Sequence, residues 1–237
     1  MLATVWAGLA GAWLQIRAVP ALPCALVAGA LFCAVHLRTG AQRAHVRLRR
    51  PDVPAWAVAG AIAALMSLKV SVEALLPAGA SRPGDDPVRA WLASGGGWAP
   101  VVATLVLLVP LVEETVFRGL MLQWLERRYG ATAAVVGSAV VFAVGHLNPA
   151  GLPSLLLGGL VLGYAFHASR SLWVPVLLHA SANATVALSV AGVPFGARAA
   201  TVLVVPSAAA LVWLGFRFRP AGQGAGAAPA ADLVPAS

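Results

Sequence analysis

The chain reads as an all-α membrane protein, a polytopic bundle of seven or eight transmembrane helices. Three observations predict this. Of 237 residues 60% are hydrophobic and only 10% charged, with a mean hydropathy of +0.85. The apolar residues are gathered into runs near the ~20 residues that a helix needs to cross a bilayer. Between those runs stand short loops that hold most of the arginines.

Taken in order, Met1 to Ile16 is apolar but short for a full crossing, which leaves the total at seven or eight. It has neither a basic leader region nor a small-residue cleavage site, so it reads as structure rather than as a removable signal. Ala18 to Leu37 is the first full span. Its two cysteines, Cys24 and Cys33, are separated by ~900° of helical rotation and so point to opposite faces, which forbids a disulfide between them. They read as small buried hydrophobes. Pro54 to Leu76 follows, with Lys69 and Glu73 one turn apart near its outer end, read as structural. The Gly-, Pro-, Ser- and Asp-containing stretch from Pro77 to Gly97 reads as an outer loop without a core. Further spans run from Trp98 to Trp124, Ala131 to Leu147, Leu152 to Ala168, Leu172 to Val190 and Ala199 to Phe216. Within the fifth, Gly159 and Gly163 are four residues apart and allow close helix approach. Beyond Arg219 the small-residue tail reads as disordered. The segments are thus 1–53 (N-terminal membrane segments and basic loop), 54–97 (helix and outer loop), 98–192 (membrane core), 193–219 (last helix) and 220–237 (tail).

Loop charges orient this arrangement. Counted inward, the loops carry ten arginines, among them Arg38, Arg43, Arg47, Arg49, Arg50, Arg127, Arg128 and Arg170; the outward loops carry four. Basic residues beside spans resist translocation, so the C-terminus is expected in the cytoplasm of a multi-pass cell-membrane protein. Trp56, Trp98, Trp124, Trp173 and Trp213 fall near span ends, where indoles favour the interface. The net charge of +8 therefore reports orientation. No basic groove sequence or aromatic RNA motif accompanies it, which argues against nucleic acid as a partner. Fifteen arginines against the one lysine, Lys69, suggest a GC-rich bacterial genome.

Against this apolar background stand Glu113, Glu114, Arg118, His146, His179 and Asn183. An unpaired charge at the bilayer centre costs at least ~2.5–3.5 kcal/mol, so such groups line cavities, pair with one another or carry out chemistry. Glu114 and Arg118 are four apart on one helix face and should form an ion pair. Glu113 is rotated ~100° away and is free to aim at another neighbour, as a general base must. Phe142 and His146 share a face of a second helix, and His179 and Asn183 lie one turn apart on a third. A carboxylate, two imidazoles and an amide donor supply what amide hydrolysis needs: activated water, proton transfer and an oxyanion partner.

The three motifs, EExxxR, FxxxH and HxxxN in that order, resemble the CPBP family of intramembrane proteases, also called the CAAX protease and bacteriocin-processing family. The similarity extends through GGLVLGY and SLWVPVLLHASAN and covers roughly Pro110 to Ala187. The resemblance implies that Glu113 with His146 activates the attacking water, that His179 and Asn183 hold the oxyanion, and that Glu114 and Arg118 fix the first helix. It implies cleavage of membrane-anchored proteins or peptides, such as lipidated C-termini, leader peptides or sorting tails. No cofactor is favoured. Zinc, if bound, would take Glu113, His146 and His179, although their spacing of 33 and 33 residues is not a metal signature such as HExxH.

Each feature also has a plainer reading. Glu114 with Arg118 can merely fix helix register, a membrane histidine can be an interhelical hydrogen-bonding residue, and Asn183 can be helix glue. His36, His45 and His167 read as solvated. A silent scaffold or immunity protein of the same fold is the alternative function; a proton-coupled transporter would show repeats or broken helices in both halves, which are not visible. HExxH and GxSxG are absent, and the one GD, Gly84 with Asp85, falls in an outer loop. One geometric condition is open. In straight, parallel helices Glu113 lies about 22 Å below the outer end of its span and His146 about 22 Å above the inner end of its own, so a shared site requires tilt or displaced helix ends.

Overall fold

The computed structural model describes residues 21–75, 85–146, 148–149, 151–192, 209–210 and 217. Met1 to Ile16, nearly all of the span Ala199 to Phe216, the tail 220–237, and the side chains of Cys24, His36, Lys69 and Glu73 lie outside the described residues. Every described element is a helix: α1 (Ala21–His36), α2 (Gly40–His45), α3 (Ala55–Leu75), α4 (Asp85–Ala93), α5 (Trp98–Tyr129), α6 (Ala131–Gly145), α7 (Leu152–Ser169) and α8 (Trp173–Val190). Three of these, α5, α7 and α8, are long and apolar enough to cross a membrane, and shorter apolar helices cover Ala55–Leu68 and Ala131–Gly145.

The bundle is apolar outside as well as inside, as a lipid solvent requires. Val136, Val140, Val141 and Val144 on α6 and Val27, Leu31 and Val35 on α1 are exposed. Polar groups are turned inward instead, where other helices satisfy them. Helix α7 lies along α6, α8 packs on α3 and on the first half of α5, and α1 also rests on α5. Close approach of α6 and α7 depends on Gly159: a Cβ there would stand 3.0 Å from Ala139 Cα.

Helix α5 is not uniform. Its turns widen to π-helical geometry over Val102–Leu108 and Thr115–Leu122, on either side of the α-helical Val109–Glu114. Pro110 supplies a reason for the first widening. It has no N–H for the carbonyl one turn back and its ring crowds that carbonyl, and a wider turn relieves both.

Two sequence expectations are corrected here. The outer loop is not wholly irregular: α4 forms within it, with Val88 buried and Trp91 Nε1 donating to Gly97 O at 3.0 Å. His167 is not solvated. It is 3% exposed, and its Nδ1 stands 2.8 Å from Glu126 Oε1. Arg170 reaches the same oxygen at 3.6 Å and Arg47 reaches Glu126 Oε2 at 3.8 Å. Burial pulls the Arg47 guanidinium below its ordinary range, while Glu126 pushes it back up.

That cluster belongs to a clasp in which the basic loop grips the turn between α7 and α8. Leu172 N donates to Arg47 O at 2.9 Å, Asp52 N to Ser169 O at 2.8 Å, Arg49 Nε to Arg170 O at 3.0 Å, and Ser171 Oγ to Arg49 O. The arginines counted as loop charges thus also hold the loop in place.

Candidate active site

Helices α5 and α6 meet at Gly130, whose φ of +80° lets the chain reverse with no residue to spare. The resulting hairpin pairs positions equally distant from the turn. Arg118 and Phe142 are each twelve residues from Gly130, and the Arg118 guanidinium carbon lies over the Phe142 ring, 4.7 Å from its centroid. Glu114 and His146 are each sixteen residues from the same turn. The depth condition raised by the sequence is thereby met at the level of helix position. Helix α5 continues to Tyr129 rather than ending near Trp124, so Glu113 and His146 both sit about 22–26 Å along their helices from one shared turn.

Glu114 and Arg118 are both 0% exposed and form the expected ion pair, Nη1 to Oε1 at 2.9 Å. The guanidinium continues across the bundle, with Nη2 donating to Gly159 O on α7 at 3.1 Å. The same Glu114 Oε1 also meets His179 Nδ1 at 2.8 Å. One carboxylate oxygen thus ties α5 to α8, and the guanidinium it holds extends the link to α7. A carboxylate fixed by a guanidinium accepts, so His179 Nδ1 is the donor, and the direction of its Nε2 is set by that bond.

His179 Nε2 faces Glu113 Oε2 at 3.9 Å. That oxygen is buried and makes no direct hydrogen bond to the described residues. Glu113, rotated from Glu114 as its place on the helix requires, therefore aims at the opposite side of the same imidazole.

His146 ends α6. Its Nδ1 lies 2.7 Å from Phe142 O, and because a carbonyl only accepts, Nδ1 carries a proton, so in the neutral ring the lone pair is on Nε2. Its ring packs on Phe142 at 4.5 Å between centroids, and Phe142 in turn meets His179 edge to face at 5.9 Å. Asn183 lies one turn along α8 from His179, and its Nδ2 donates to Leu105 O in the first π-helical stretch at 2.9 Å. One of its two N–H groups is thus committed to holding α8 against α5.

The structure therefore brings Glu113, Glu114, Arg118 and His179 into one connected group, attaches His146 to it through Phe142, and ties Asn183 to α5. Sequence reasoning misses two contributors. Gly159 stands out in the sequence only for its small size, yet its carbonyl is also an acceptor for Arg118. Phe142 stands out only as a motif neighbour of His146. The hairpin register about Gly130 is the signal that finds Phe142.

Comparison with known proteins supplies the remaining observation. Residues 95–185 match the family model described as type II CAAX prenyl endopeptidase, Rce1-like. The matched segment is thus similar to the CAAX prenyl endopeptidases. It runs from just before α5 to within α8, so it contains every candidate residue from Glu113 to Asn183. A curated relative, an uncharacterized 24.3 kDa protein of Escherichia coli, is 38% identical over 85 residues, covering 34% of this chain. The chain spans about two-fifths of that relative, 39% of its length. No solved structure matches.

Within the matched segment, donor chemistry and placement say different things about a metal. Both histidines use Nδ1 for a protein partner, the usual arrangement of metal-binding imidazoles. Yet no three His, Cys, Asp or Glu groups among the described residues come close enough together to hold an ion. As placed, Glu113, His146 and His179 do not form a ligand set.

Proposed function

We propose that the protein is an intramembrane endopeptidase that hydrolyses a peptide bond in membrane-anchored substrates, with Glu113 as general base. One observation carries the reading. A buried carboxylate that Arg118 locks in place, Glu114, holds one side of His179 while the other side faces the unbonded oxygen of Glu113 across 3.9 Å. Such a gap is too long for a hydrogen bond and suits a bridging water.

In this mechanism Glu113 takes a proton from the water, with the His146 Nε2 lone pair helping to orient it, and the water oxygen adds to the peptide carbonyl. Charge then collects on the carbonyl oxygen. His179, when protonated, offers Nε2–H to that oxygen, and Asn183 offers the N–H that does not bind Leu105 O. Glu113 returns its proton to the departing amine as the C–N bond breaks, leaving a carboxylic acid and an amine. Glu114 and Arg118 act on His179 and on helix placement. No step passes through a metal.

The family description points to prenylated C-termini as a substrate class; leader peptides and sorting tails share the property of arriving from the bilayer. We place the protein in the cell membrane of a bacterium, multi-pass, with its C-terminus in the cytoplasm. Comparison of membrane proteomes from cells carrying wild type and Glu113→Ala tests the function with no substrate chosen in advance. A precursor that accumulates only in the variant is the expected result; a phenotype and proteome unchanged by both Glu113→Ala and His179→Ala would favour the scaffold reading.

A further inference from the structure

We propose that Phe142 is a positioning residue of this site, setting the spacing and orientation of the two imidazoles and of the arginine that locks Glu114. The proposal deepens the hydrolytic reading and rests on it for its consequence, though not for its geometry.

The Phe142 ring is 3% exposed and meets four groups from three helices: Arg118 at 4.7 Å, His146 at 4.5 Å, Phe117 at 5.2 Å and His179 at 5.9 Å. An ordinary core phenylalanine would be surrounded by aliphatic side chains. Three of these neighbours are candidate site residues, and two of the three are imidazoles whose direction determines what Nε2 can reach. Contacts around the ring also close a circuit: Phe142 to Arg118, Arg118 to Glu114, Glu114 to His179, and His179 back to Phe142.

Ring and backbone of this one residue do separate work. The carbonyl of Phe142 accepts from His146 Nδ1 and so fixes the tautomer of the neutral ring. The ring supplies a flat, electron-rich face to a fully buried guanidinium, an attraction worth more away from water. It also contacts both His146 and His179, so the settings of the two imidazoles are linked through one ring. An aliphatic side chain of similar bulk keeps the backbone contact and fills most of the space. It loses the attraction to Arg118 and the edge-to-face restraint on His179.

The test uses the full-length protein in lipid nanodiscs with Phe142→Leu and Phe142→Tyr, Phe142→Met replacing the leucine variant should that one not be recovered folded. Nitrogen-15 NMR of labelled histidines reads the Nδ1 and Nε2 environments of His146 and His179 without reference to any substrate. In parallel, cleavage of an internally quenched farnesylated peptide with a C-terminal CAAX box gives kcat, KM and their pH dependence. The aliphatic variants are expected to shift both histidine signals and to lower kcat by about tenfold to a hundredfold with KM nearly unchanged, the scale of a small misplacement at a reacting centre. The tyrosine variant is expected to restore the histidine signals and most of kcat. Histidine spectra unmoved by Phe142→Leu or Phe142→Met would overturn the proposal whatever the peptide does. Moved spectra in a protein that does not cleave the peptide even as wild type would uphold the positioning role and count against the hydrolytic reading.

Discussion

Glu114 and His179, 65 residues apart in sequence, meet through one oxygen that Arg118 also occupies: Nδ1 and Nη1 lie 2.8 and 2.9 Å from Oε1. A carboxylate that supports a cation on one helix and an imidazole on another cannot be replaced without loss to both. Removing one member of a buried pair strands the other charge in low dielectric, at a cost of ~3–5 kcal/mol. Glu114→Leu and Arg118→Met should each destabilise the protein on that scale, measured by reversible unfolding in detergent. The double variant should be markedly less unstable than the sum of the two, because it strands neither charge.

The hairpin at Gly130 makes a separate prediction. No atom lies within 4 Å of where a Cβ would stand, so a substitution there meets only backbone strain. With φ at +80° and ψ at 169°, the conformation is one that L-residues avoid. Gly130→Ala should cost ~1–3 kcal/mol. Since Arg118 and Phe142 meet only in this register, the same variant should disturb the Arg118–Phe142 contact twelve residues away, visible as a changed Phe142 ring signal by NMR.

These two cases show how far the sequence reaches. The i,i+4 rule announces the Glu114–Arg118 pair because both residues lie on one helix, and hydropathy places the long described helices to within about five residues. Contacts between helices are another matter. Whether Asn183 turns to Leu105 O or His167 to Glu126 depends on helix rotation and tilt, which neither spacing nor composition encodes. The 5-residue extension of α5 beyond Trp124 is hidden because Gln123–Tyr129 carries Glu126, Arg127 and Arg128, which read as a loop when hydropathy alone sets the boundary.

The clasp around Glu126 predicts a local effect rather than a global one. Glu126 faces His167, Arg170 and Arg47 and is partly exposed, so Glu126→Gln removes an attraction shared by three cationic or protonatable groups without creating a cavity. Amide hydrogen exchange across Arg43 to Asp52 should quicken about tenfold, equivalent to ~1.4 kcal/mol of local opening. Exchange in α6 should stay as it was.

The direct test of the central claim is cleavage of the farnesylated CAAX peptide by purified protein in proteoliposomes, comparing wild type with Glu113→Gln. The substitution keeps the size of the side chain and removes its basicity. The account predicts a fall in kcat of about a hundredfold to ten-thousandfold, the usual worth of a general base, with peptide affinity unchanged. A Glu113→Gln protein that cleaves the peptide at the wild-type rate would contradict it.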